Sequence, residues 1–73
     1  MGYYTTIKVI NSRGKPVKAA VYCGGKFRGY TNENTGEIIF ELPYSGKYSL
    51  SVERYGDKVS TEIISGQESI IRI

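Results

Sequence analysis

The chain has 73 residues, with seven Tyr, nine Gly, a single Cys, no His and a formal net charge of +3. That length holds one domain, residues 1–73, and a chain of this size hides only about 60% of the surface its unfolded form exposes. One Cys excludes an intrachain disulfide, and the lack of His excludes imidazole-based catalysis and leaves a transition-metal site without a ligand set.

The composition is that of a β protein, rich in Tyr, Ile, Val and Gly and poor in Ala and Leu, and no stretch shows helical periodicity. Turn residues divide the sequence into seven predicted strands. The first is Tyr3–Ile10, with Thr5, Ile7 and Val9 on one face and Tyr4, Thr6 and Lys8 on the other. "NSRGKP" breaks it, because Asn, Ser and Gly favour turns and Pro16 cannot donate to a ladder.

Val17–Cys23 follows and ends at Gly24-Gly25, a dipeptide suited to a tight hairpin. "KFRGYT" is a third strand, irregular around Gly29, and "NENTG" turns the chain into Glu37–Leu42, with Ile38, Phe40 and Leu42 on one face. "PYSG" leads to Lys47–Tyr55, in which Tyr48, Leu50 and Val52 oppose Ser49, Ser51 and Glu53. Gly56-Asp57 precedes Lys58–Ile64, and "SGQ" precedes Glu68–Ile73. Short connections favour mostly antiparallel neighbours, and seven strands with one apolar face each fit two packed sheets. The expected fold is an all-β sandwich, with a small OB-like barrel as the alternative.

Chemistry-bearing residues are few. The single Cys23 reads as a small buried hydrophobe, and the serines as turn or outward residues without a base to activate them. The loop "NENTGE" has oxygens for calcium but only two carboxylates, in a pattern unlike an EF-hand, and is read as a turn. No catalytic residue, metal ligand or cofactor is expected.

"YCGGKFRGYT" interleaves Lys26 and Arg28 with Tyr22, Phe27 and Tyr30, which raises single-stranded nucleic-acid binding as an alternative function. The preferred reading packs Tyr22 and Phe27 in the core and leaves Lys26 and Arg28 solvated. Edge strands and the apolar C-terminal "ESIIRI" give a motive for a homodimer, with Ile70, Ile71 and Ile73 either buried or paired with a neighbour. No segment approaches the ~20 apolar residues of a membrane helix, so no membrane insertion is expected. The start "MGYYTTIKV" lacks a signal-peptide pattern, and the chain as given reads as soluble; excision from a larger protein would admit a cell-surface or extracellular setting.

"VINSRGKPVKAAVY", "GYTNENTGEIIFELP" and "YSGKYSLSVERYG" together resemble carboxypeptidase regulatory-like domains, within the transthyretin-like or prealbumin-like sandwiches and akin to CnaB repeats. Gly14-Lys15-Pro16, Ala20, Thr31, Gly36, Phe40, Pro43, Gly46, Tyr48, Leu50 and Val52 fill the family's places. Two departures are a loop one residue longer at "NENTG" and Asn32 in place of the common Asp.

The resemblance implies a seven-stranded sandwich serving as a non-catalytic accessory or interaction module of a larger surface or enzyme system. A CnaB-type isopeptide would need a buried Lys; Lys8 falls on the outward face and has no acid partner, so none is expected. The partner expected is a protein, a second copy of the chain or a glycan, with nucleic acid ranked below. The residues expected to carry contacts are Lys26, Phe27, Arg28, Tyr30, Asn32, Asn34 and Tyr44.

Overall fold

In the computed structural model, which describes residues 2–73, the alternation of apolar and polar side chains resolves into β1 (Tyr3–Ile10), β2 (Ala20–Cys23), β3 (Lys26–Tyr30), β4 (Glu37–Leu42), β5 (Lys47–Arg54), β6 (Asp57–Ile64) and β7 (Glu68–Arg72). They form two sheets, ordered β4-β1-β7 and β3-β2-β5-β6. This is a β-sandwich, and the barrel alternative falls because the two sheets stay separate.

One face of every strand except β3 supplies the core. Thr5, Ile7 and Val9 point inward from β1, Val21 and Cys23 from β2, Leu42 from β4, Leu50 and Val52 from β5, Ile63 from β6 and Ile71 from β7. Ile38, Phe40, Tyr48 and Val59 pack around this centre, so the apolar faces of β4 and β5 do meet. A period of two with one buried face is what a half-solvated sheet requires.

One departure from the expected strand limits has a clear cause. The second strand starts at Ala20, not Val17, because Pro16 and Val17 first lie against β1: Ile10 bridges Pro16, and the Val17 N–H donates to the Val9 carbonyl at 3.2 Å. The chain changes sheets across Lys18 and Ala19. Neighbours are antiparallel except β7, which runs parallel to β1 with Val9 opposite Ile71. Parallel pairing needs a long crossover, and everything between β1 and β7 supplies it. In the C-terminal strand Ile71 is buried, while Ile70 faces outward and is exposed.

Candidate functional site

The outer face of the four-stranded sheet carries the most organised set of exposed side chains. It begins at the Gly24-Gly25 turn, which sets Cys23 opposite Lys26 and Tyr22 opposite Phe27. Directly opposed residues share a face. Val21 and Cys23 occupy the inward positions of β2, so Tyr22 and Phe27 face solvent together. Phe27 is 51% exposed, which corrects the expectation that it packs in the core.

A bulge then brings Tyr30 to the same side. Val21 lies opposite Gly29 while Tyr22 lies opposite Phe27, so β3 carries one extra residue at Arg28. In a regular strand Phe27 and Tyr30, three apart, would face opposite ways. Gly29 allows the distortion: its φ of 131° is rarely adopted by residues with a side chain, and an added Cβ would lie 3.3 Å from Ile38 Cδ1. The result is a contiguous aromatic shelf. Tyr22 and Phe27 ring centroids are 5.3 Å apart at 55°, and Phe27 and Tyr30 are 5.4 Å apart at 73°, edge to face.

The cation of this shelf is one the sequence reading missed. Lys18 Nζ lies 5.1 Å from the Tyr30 ring centroid. At the same end, Arg54 stacks on Tyr55 with Cζ 4.7 Å from the ring centroid. An open concavity of about 370 Å³ lies between them, lined by Lys18, Ala19, Ala20, Tyr30, Glu53, Arg54 and Tyr55. Tyr55 is 91% exposed and has a φ of 49°, in the left-handed region that disfavours a bulky side chain. Glu53 brings one negative charge and lies opposite Lys58 in the ladder, so the concavity keeps a positive bias.

The other expected contact residues are scattered. Lys26 and Arg28 do not join the aromatics. Lys26 pairs with inward-facing Cys23 and is exposed at the sheet edge. Arg28 is half-buried; its Nε–H donates to the Cys23 carbonyl at 3.3 Å, and its Cζ lies 5.5 Å from the Phe40 ring centroid. It therefore roofs the sandwich edge and is not free in solvent.

Asn32 and Asn34 sit in the β3–β4 loop, where Asn32 Oδ1 accepts the N–H groups of Asn34 at 2.7 Å and Thr35 at 3.2 Å. Thr35 Oγ1 accepts the Glu37 N–H, so these oxygens serve the turn itself. Tyr44 lies at the far end, 74% exposed, its backbone held by the Tyr48 hydroxyl, which accepts from Tyr44 N–H and donates to Tyr44 O, both at 3.1 Å.

Two groups outside the shelf bear on its chemistry. Cys23 is buried, and burial pushes its thiol up, opposed by the nearby Arg28 guanidinium. A neutral, enclosed thiol is not a nucleophile. Ser65 is buried, not outward as its turn position suggests, and its Oγ accepts the Gly46 N–H at 3.0 Å. No known family model matches this sequence, and no curated protein matches it.

Proposed function

We propose that this chain is a non-catalytic interaction module whose contact surface is the aromatic shelf of Tyr22, Phe27 and Tyr30, with Lys18, Arg54 and Tyr55 at its end. The carrying observation is that these aromatics are organised on one solvent-facing side although the core is complete without them. Rigid, amphipathic rings beside cations are what a binding surface uses to gain contact area at low entropic cost. The seven-stranded, two-sheet architecture agrees with an accessory domain of the carboxypeptidase regulatory-like, transthyretin-like type, and that family reading is part of the proposal.

The partner class that fits best is a polypeptide segment with apolar and acidic side chains, apolar groups against Phe27 and Tyr30 and carboxylates against Lys18 and Arg54. A second reading is favoured by the same geometry: bases of a single strand stacking on Tyr22, Phe27 and Tyr30, with phosphates at Lys18 and Arg54. Titrating the isotopically labelled chain with acidic-aromatic peptides and with short oligonucleotides, each at low and moderate salt, separates the two.

Shifts confined to the shelf and lost in Phe27→Ala and Tyr30→Ala support the module. A steep salt dependence with oligonucleotides alone selects the second reading. Shifts centred elsewhere, or turnover of a peptide or glycan by the isolated chain, would overturn it.

A further inference from the structure

The edge of the same sheet holds a second and independent surface. Four strands end the two sheets: β4 and β7 in one, β3 and β6 in the other. An edge strand exposes unpaired N–H and C=O groups and needs either protection or a partner. β3 is protected by its bulge, and β4 and β7 are short, at six and five residues. β6 has eight residues, an unbroken register against β5, no Pro and no bulge.

The direction of its free groups follows from the turn. Arg54 and Asp57 close a two-residue hairpin over Tyr55-Gly56, and such a hairpin closes on a hydrogen-bonded pair. Bonded pairs then recur at every second residue, which gives Asp57, Val59, Thr61 and Ile63 to β5. The Ser65 N–H donating to the Gly46 carbonyl at 3.0 Å continues this series at the other end. Lys58, Ser60 and Glu62 are thus left with both peptide groups directed at the open edge, and their side chains are exposed on the outer face.

We propose that β6 pairs antiparallel with β6 of a second copy, on a two-fold axis at Ser60. In this register Ser60 lies opposite the partner's Ser60, Lys58 opposite the partner's Glu62, and Glu62 opposite the partner's Lys58. Both cross-strand pairs join opposite charges, because "KVSTE" is charge-complementary to itself when reversed about its central Ser. Moving the axis to Val59 sets Lys58 against Ser60, and moving it to Thr61 sets Lys58 against Ile64; neither pairs the charges. The occupant is a second copy for that reason: the strand carries its own complement, and one isologous contact closes.

The pairing fuses two four-stranded sheets into one of eight strands, β3-β2-β5-β6 continued by its symmetry mate. Opposed residues share a face, so the two aromatic shelves lie on the same side. Their β2 strands are five strand spacings apart, about 24 Å at ~4.8 Å each. A dimer would thus present two contact surfaces to one extended partner. The pairing itself does not depend on what the shelf binds.

The test is a charge swap read by sedimentation across a concentration series, with circular dichroism confirming that each exposed-site variant stays folded. Wild type dimerises, Lys58→Glu and Glu62→Lys each weaken the dimer by 10-fold or more, and the double variant K58E/E62K regains it. A strictly monomeric wild type at millimolar concentration overturns the proposal. A dimer indifferent to both single reversals, or one that the double variant does not restore, overturns it as well. Because the readout is mass, its failure is distinguishable from failure of the shelf to bind a partner.

Discussion

The Thr31 hydroxyl accepts the Ala19 N–H at 2.8 Å and donates to the Val17 carbonyl at 2.7 Å, on either side of Lys18. The backbone adds a third bond, Thr31 N–H to Ala19 O at 2.9 Å. One side chain therefore does the work of a missing ladder where the chain passes from one sheet to the other. Val17, Ala19 and Thr31 are all buried, so no water replaces these bonds. This corner also fixes where Lys18 emerges over Tyr30, which links a packing detail to the shelf.

Thr31→Val keeps the shape and removes the hydroxyl. It leaves a buried carbonyl and a buried N–H without partners, each costing roughly 1–3 kcal/mol, so the loss should be about 2–6 kcal/mol. Thr31→Ser keeps both bonds and should lose far less. Urea midpoints of the two variants check this, and equal losses would show that packing of the methyl, not the hydroxyl, matters.

The strands were legible because each has a plain period of two, and the observed ends of all but the second lie within one residue of the expected ones. The start of β2 was not, because the Pro16–Ala19 segment obeys tertiary bonds to Val9 and Thr31 and carries no local signal of its own. The site was half legible. "CGGK" as a two-residue turn already sets Tyr22 opposite Phe27. Alternation within "KFR" already puts Lys26 and Arg28 on the other side from Phe27, so neighbours in sequence are opposed in space. Lys18 was hidden, because only the pairing of Ala20 with Tyr30 brings it to the ring.

The bulge predicts a coupling between backbone and shelf. Gly29→Ala forces a side chain into a φ of 131° and 3.3 Å from Ile38, a strain of about 1–3 kcal/mol. The cheapest relief is to straighten β3, which would turn Tyr30 away from Phe27. Thermal melts should show the destabilisation, and near-ultraviolet circular dichroism the loss of the Tyr22–Phe27–Tyr30 arrangement. An unchanged near-ultraviolet spectrum would refute the link.

Cys23 gives a pH signature. Its folded pKa is raised, so the neutral thiol is favoured in the native state. The stability tied to it is fully present below the ordinary thiol value of about 8.5 and is lost as pH rises through the folded value. Labelling by a thiol reagent at neutral pH should be slow and should follow global unfolding as urea is added. Cys23→Ala should flatten the alkaline fall in stability relative to wild type, once the tyrosines common to both are accounted for. Fast labelling of the native chain would contradict the burial argument.

Tyr55 sets stability against function. It takes the first central position of the β5–β6 turn with φ 49°, followed by Gly56 at 85°, a conformation for which Asn-Gly is the favoured pair. A tyrosine there is strained, and its ring gains no burial in return, being 91% exposed. Tyr55→Asn should therefore stabilise the fold by about 1 kcal/mol, raising Tm by roughly 4–8 °C in a domain of this size. It should also remove the ring that Arg54 stacks on and one wall of the concavity, weakening partner binding at the shelf. A melt and a binding titration on the same sample decide it. Higher Tm with weaker binding is the signature of a residue kept for contact. Higher Tm with unchanged binding would remove Tyr55 from the site.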